Sequence, residues 1–126
     1  MGVVQGLRGC RVLVVEDDFL IADNLRYGLE ERGVEVWGPV SGIADAVSLL
    51  SRQGLPDLAV LDVNLGDEMV YALADRLRDE GVPFLFATGY DRAAIKDGYQ
   101  AVPHVEKPGD LGTLLRALEA LVAHPG

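Results

Sequence analysis

The sequence predicts an α/β protein with a doubly wound fold, in which five βα units surround a central five-stranded parallel sheet. Short apolar runs rich in β-branched residues alternate along the chain with longer segments whose apolar residues recur at helical spacing. The 126 residues, 49% of them hydrophobic, provide enough material for one ordinary core and leave no room for a second domain. We therefore expect a single domain over residues 1–126.

The first unit begins with Arg11–Val15, a continuous run expected of a strand that is buried on both faces. The run stops at an acidic stretch, where we expect Asp18 to cap the following helix. Gly33 is the expected end of that helix. Its apolar face consists of three residues at helical spacing: Ile21, Leu25 and Leu29.

The second unit has a shorter predicted strand, Val34–Trp37, which we expect Gly38-Pro39 to close. Ser41 is the expected cap of the helix that follows. The apolar face of this helix is predicted to contain Ile43, Ala46, Val47 and Leu50.

The third unit is predicted as a strand over Leu58–Val63 and a helix from about Met69 to Glu80. Val82–Ala87 predicts the fourth strand. The segment after it, Asp91–Tyr99, is short, contains a glycine and shows little periodicity, so it predicts only a poor helix.

The last unit combines a weak strand over Pro103–Glu106 with an amphipathic helix. The core of the domain is then expected over about residues 11–122, with flexible ends at Met1–Gly9 and Ala123–Gly126. The apolar stripe of the last helix contains Leu111, Leu114, Leu115, Leu118, Leu121 and Val122.

The composition excludes several classes of function. The formal net charge of −9 repels the phosphate backbone of nucleic acids, so direct nucleic-acid binding is not expected. No apolar run approaches the roughly 20 residues that span a bilayer, and Met1–Gly9 lacks the apolar centre of a secretory signal. We therefore expect a cytoplasmic protein without a membrane segment. One cysteine and two histidines exclude an internal disulfide and a zinc cluster.

Polar residues stand at the carboxyl ends of four predicted strands, the edge where open α/β sheets bind ligands. They are Glu16 and Asp17, Asp62, Thr88, and Lys107. Three carboxylates packed together need raised pKa values or a cation, and Mg²⁺, which takes oxygen ligands, is the expected cation. With that charge offset, one carboxylate can attack phosphorus and form an acyl phosphate. The residue types do not indicate which carboxylate attacks.

Four motifs, in this order and spacing, resemble those of the receiver domains of two-component response regulators: VLVVEDD, LAVLDVNL, FATG and EKP. The resemblance extends over Arg11–Val122 and implies a flavodoxin-like (βα)5 fold. It also implies that Asp62 is the phosphoacceptor. Mg²⁺ would be bound directly by Asp17, Asp62 and the backbone carbonyl of Asn64, and mostly through water by Glu16.

The same resemblance implies the other roles at the site and the partners. Thr88 would be the hydroxyl switch, and Lys107 would contact the phosphoryl group, with Pro108 following a cis peptide bond. The implied phosphoryl donor is a sensor histidine kinase or a histidine phosphotransfer protein. The domain would be a signalling module that catalyses only its own phosphorylation and dephosphorylation. A downstream protein or a second copy would meet the face built from the segment Asp91–Tyr99, the fifth strand and the last helix.

Two features depart from the family pattern. FATG followed by Tyr90 is partly similar to a receiver subgroup named for a FATGUY motif, whose fourth helix is poorly formed, but Asp91 replaces its last tyrosine. His104 stands where many members carry Tyr or Phe. Signal transmission is therefore expected through the loop after Thr88 rather than through a threonine–aromatic pair.

Two other functions remain open at this point. A metal-dependent hydrolase would turn over an aspartyl phosphate, and it usually needs a second acid where this chain has Asn64. A degenerate receiver would bind partners without being phosphorylated, although none of the expected site residues is missing. Because no output domain is recognisable in the sequence, the signal is expected to pass by protein contact, or the domain acts as a phosphate sink. The same observation also fits a domain excised from a larger protein.

Overall fold

Five parallel strands form one sheet in the order β2-β1-β3-β4-β5. The computed structural model describes residues 6–66, 68–89, 95–106 and 111–123, and these ranges contain four helices. The strands are β1 (Arg11–Val15), β2 (Glu35–Val40), β3 (Leu58–Leu61), β4 (Phe84–Thr88) and β5 (His104–Glu106). The helices are α1 (Phe19–Glu31), α2 (Ile43–Gln53), α3 (Tyr71–Asp79) and α4 (Leu111–Ala123). The predicted doubly wound α/β fold is confirmed.

Helices cover both faces of the sheet, because successive residues of the central strands alternate between two apolar layers. Leu13 and Leu61 belong to the layer that contains the buried residues of α2 and α3. Val14 and Val60 belong to the opposite layer, which contains the buried residues of α1 and α4. Residues 12–15 of β1 are therefore buried on both faces, as the sequence predicts, whereas Arg11 at the start of the strand is exposed. No helix in the described parts of the chain has the length and apolar character needed to cross a membrane.

The second strand is longer than predicted. It continues through Gly38-Pro39 to Val40, whereas the sequence placed its end at Trp37. The pairing register shifts between Leu13 and Val15 of β1, which marks a bulge or irregularity in the ladder. Proline is tolerated at such a position because β2 lies at the edge of the sheet.

Other boundaries shift by a few residues. Ser41 does not cap α2, since the N-cap position is occupied by Gly42. The third strand ends at Leu61, so Asp62 stands just beyond it, and the fourth strand extends to include Thr88. Helix α3 begins at Tyr71, later than predicted.

The segment between β4 and β5 is not helical where it is described, from Ile95 onward. It nevertheless packs firmly, because Ile95 and Tyr99 are buried in the layer that contains α3. The Tyr99 ring lies 4.7 Å from that of Tyr71, measured between centroids, and its hydroxyl donates a hydrogen bond to Asp75. That bond, together with burial, raises the pKa of Tyr99. Aromatic and hydrogen-bonding contacts thus replace a helix here.

The described part of the N-terminal segment is also packed. Leu7 is 1% exposed and belongs to the layer between α1 and α4. The backbone N–H of Cys10 donates a hydrogen bond to the Leu7 carbonyl, and the backbone N–H of Gly9 donates one to the Gly33 carbonyl. An apolar side chain therefore packs this turn against the core, within the segment that the sequence assigns to a flexible end.

We expect Gly38→Ala to destabilise the fold. Gly38 has a φ of +96°, and an added Cβ would lie 2.7 Å from the backbone nitrogen of Val40, which cannot move without breaking the β1–β2 pairing. Backbone strain alone costs about 1–3 kcal/mol, and the clash adds to it. Urea unfolding, followed by the fluorescence of the only tryptophan, Trp37, measures the loss.

Gly54→Ala is the matched control for this prediction. Gly54 has a similar φ of +89°, but none of the described residues has an atom within 4 Å of the added Cβ. Gly54→Ala should therefore be destabilised by backbone strain alone, without the additional cost of a clash. Equal losses in the two variants would show that the close approach at Gly38 has no energetic consequence.

Candidate functional site

Three carboxylates meet at the carboxyl edge of the sheet. One oxygen from each of Glu16, Asp17 and Asp62 lies within 4.8 Å of the others, a spacing that permits a shared cation. Glu16 and Asp62 are buried, at 3% and 5% exposure, whereas Asp17 is exposed. The sequence placed these residues at strand ends, and the structure brings them together. Two buried carboxylates and one that faces solvent form an acidic site that an ion can enter from one side.

The turn after β1 orients Glu16 and Asp17. The backbone N–H of Glu16 donates to the carbonyl of Val40 at 2.9 Å, so the bulged end of β2 helps to hold this turn. Oε2 of Glu16 accepts a hydrogen bond from the backbone of Asp18 at 3.0 Å. Asp18 in turn caps α1, accepting hydrogen bonds from the backbone N–H groups of Leu20 and Ile21, as predicted. The site is thus built on the start of α1.

The loop after β3 closes back on itself beside Asp62. The backbone N–H of Asp62 donates to Val15 at 2.9 Å, and Oδ1 of Asp62 accepts from the Asn64 backbone at 3.3 Å. The Asn64 side chain accepts from the backbone of Gly66 at 3.1 Å. An added Cβ on Gly66 would stand 3.6 Å from Oδ2 of Asp17, which shows how closely this loop approaches the first strand's acids.

One residue of this loop has a role that the sequence does not predict. Oε2 of Glu68 accepts a hydrogen bond from the backbone N–H of Ile43, the first residue of α2, at 3.0 Å. Glu68 therefore does what was expected of Ser41. The two partners are 25 residues apart in the chain, so no local sequence signal marks the contact.

The structure describes only some of the remaining residues that the sequence singles out. Thr88 ends β4, and its backbone pairs with that of Glu106 on β5, which places both at the edge that carries Asp62. Lys107 and Pro108, with the predicted cis peptide bond, lie outside the described residues. His104 pairs with Phe86, further from this edge, and its buried Nδ1 has no hydrogen-bond partner among the described residues.

A cleft of about 350 Å³ opens beside the carboxylates. Glu16 and Asp17 line it together with Phe19 from α1 and Ser41 from the loop after β2. Phe19 and its neighbour Leu20 are 79% and 73% exposed, so two large apolar side chains stand side by side on this surface. The acidic site is thus reached from a surface that is partly apolar.

The fold and site define an α/β domain with a carboxylate cluster at its sheet edge, and the comparisons with known proteins identify its class. The family model described as the response regulator receiver domain matches residues 12–119. The sensory transduction protein LytT of Bacillus cereus is 34% identical over 113 residues, covering 86% of this chain and 46% of LytT. The chain spans about half the length of the first curated relatives it matches.

Solved structures agree with that result. SdrG from Sphingomonas melonis Fr1 is 34% identical with a TM-score of 0.77, covering 90% of this chain and 96% of SdrG. The CheY-like response regulator receiver domain from Methylobacillus flagellatus is 26% identical with a TM-score of 0.74, covering 89% and 98%. The chain belongs to the response regulator receiver domain family, whose members are signalling modules of two-component systems. The flavodoxin-like fold implied by the motifs is confirmed.

Proposed function

We propose that this chain is a phosphoacceptor domain that receives a phosphoryl group on Asp62 in a Mg²⁺-dependent reaction. The observation that carries the proposal is the carboxylate cluster, in which Asp62 is buried within 4.8 Å of two other acids. Such a cluster suits a hard divalent cation with oxygen ligands. Asp17, Asp62 and the Asn64 carbonyl would hold the ion directly, and Glu16 mostly through water. When bound, Mg²⁺ would offset charge on the transferring group.

In the proposed reaction a carboxylate oxygen of Asp62 attacks phosphorus while the bond from phosphorus to the donor's imidazole nitrogen breaks. The imidazole leaves and takes up a proton. We assign Lys107 to the phosphoryl oxygens and Thr88 to the hydroxyl that closes on them, by their match to the family's motifs. Asn64 speaks against rapid hydrolysis, because its side chain is an amide that holds a turn, with no carboxyl group to act as a base.

The proposed donor is a sensor histidine kinase or a histidine phosphotransfer protein, which implies a cytoplasmic location. The exposed pair Phe19 and Leu20, at the start of α1 and beside the site, supports a macromolecular donor. Such a patch contributes to binding only when a partner covers it. For output we propose contact with a downstream protein, or a second copy, through the face of β5, α4 and residues 95–103. Alternatively, the domain acts as a phosphate sink and passes on no signal of its own.

Incubation of the protein with acetyl phosphate, followed by intact-mass spectrometry, tests this function. With Mg²⁺ present we expect a mass increase of one phosphoryl group, and with a chelator we expect none. If neither acetyl phosphate nor a phosphohistidine protein labels the chain, it is a degenerate receiver and the proposal is wrong.

A further inference from the structure

The loop that follows Asp62 contains the two arms of a short hairpin, residues 63–66 and 68–70, which are joined by backbone hydrogen bonds. The backbone N–H of Leu65 donates to the carbonyl of Glu68 at 2.9 Å, and that of Val70 donates to Val63 at 3.0 Å. Between these bonds, Asn64 pairs with Met69 as an antiparallel bridge. The backbone of Asn64, the proposed source of a metal-binding carbonyl, is therefore held by the opposite arm of the hairpin.

That opposite arm is fixed to the rest of the molecule through the Glu68 side chain. The N-cap residue of α2, Gly42, has no side chain to satisfy the free N–H groups of the first turn. Oε2 of Glu68 fills this place, 3.0 Å from the nitrogen of Ile43. The positive end of the helix dipole favours a carboxylate at this position. An added Cβ on Gly42 would lie 2.9 Å from the same oxygen, so the helix start and the carboxylate fit closely.

We propose that Glu68 is a positioning residue for phosphoryl acceptance. By capping α2 it holds the second arm of the hairpin, and through the Asn64–Met69 bridge it holds the Asn64 backbone, whose N–H contacts Asp62. Glu68 does not contact the transferring group itself. The inference rests on the proposed function of Asp62, and it adds α2 to the elements that support the site.

Substitution of Glu68 tests this role. In Glu68→Ala the hairpin loses its link to α2, so we expect the Mg²⁺ dissociation constant to rise about tenfold, on the scale of a lost helix cap. The rate of labelling by acetyl phosphate at low Mg²⁺ should fall by a similar factor, whereas saturating Mg²⁺ should restore most of it. Isothermal titration calorimetry measures the first quantity and intact-mass spectrometry the second.

Two further variants separate positioning from charge. Glu68→Gln removes the charge but keeps an acceptor oxygen for Ile43, so we expect Mg²⁺ affinity within about threefold of the wild type. Asp45→Asn removes a carboxylate from the first turn of the same helix without touching the hairpin contact, and it should have an equally small effect. Urea unfolding of all three variants shows whether any loss of affinity follows general destabilisation.

The outcomes distinguish the inference from the function on which it depends. Loss in Glu68→Ala with recovery in Glu68→Gln supports the positioning role. Equal losses of Mg²⁺ affinity in Glu68→Ala, Glu68→Gln and Asp45→Asn would mean that charge alone matters. Wild-type affinity in Glu68→Ala would mean that the helix cap is irrelevant. Either result overturns this inference and leaves the proposed function of Asp62 standing. A wild type that accepts no phosphoryl group from any donor overturns the proposed function and this inference with it.

Discussion

Asp62→Asn is expected to abolish phosphoryl incorporation while leaving the fold intact. The amide has nearly the shape of the carboxylate, but it is a poor nucleophile and cannot form the acyl phosphate. Because Asp62 is buried beside Glu16, removing its charge also relieves repulsion between two desolvated carboxylates. The variant should therefore be at least as resistant to urea as the wild type. Intact-mass spectrometry after treatment with acetyl phosphate and Mg²⁺ measures the incorporation.

Asp79→Asn provides the control for nonspecific phosphorylation of surface carboxylates. Asp79 is the exposed last residue of α3, and its substitution should leave labelling unchanged. Labelling of Asp62→Asn at the wild-type rate would move the phosphoacceptor to another residue. A variant that fails to fold would show instead that the buried carboxylate is required for stability, contrary to the expected relief of repulsion.

Asp17→Asn is expected to weaken Mg²⁺ binding by at least tenfold, which corresponds to about 1.4 kcal/mol. Asp17 is the exposed member of the carboxylate cluster, so its loss removes attraction for the ion with little disturbance of packing. Labelling should then require correspondingly more Mg²⁺. Titration calorimetry with Mg²⁺ measures the affinity directly.

The neighbouring substitution, Asp18→Asn, is a close control. It removes one negative charge next to Asp17, yet asparagine caps helices about as well as aspartate, so the start of α1 is preserved. We expect a small change in Mg²⁺ affinity from this variant. If both substitutions weaken binding equally, the effect is one of general charge and Asp17 is not a ligand. Unchanged affinity in Asp17→Asn would remove it from the site altogether.

The sequence predicts those parts of the fold that depend on local patterns. The limits of β1 and the cap by Asp18 follow from an unbroken apolar run and from an acid directly before a helix. The acidic site follows as well, because the ends of parallel strands share one edge, and β1 and β3 are each followed directly by an acid of the cluster. No contact between distant residues is needed for any of these predictions.

Features that depend on distant contacts could not be predicted. The bulge in β2 arises from pairing with β1, so the sequence predicts a stop at Gly38-Pro39 where the strand continues. The helix cap by Glu68 joins a loop to a helix that precedes it by 25 residues. The turns from Ile95 to Tyr99 are stabilised by aromatic residues of α3 and β4, and a weak helical period does not reveal such packing.

The most direct test of the account is to locate the phosphoryl group itself. After labelling with acetyl phosphate and Mg²⁺, borohydride reduction converts an aspartyl phosphate to homoserine, and tandem mass spectrometry of the peptides identifies the position. We expect homoserine at position 62, in amounts that depend on Mg²⁺ and that fall in Asp17→Asn. Conversion at Asp17, Glu16 or any other acid, with position 62 intact, would contradict it.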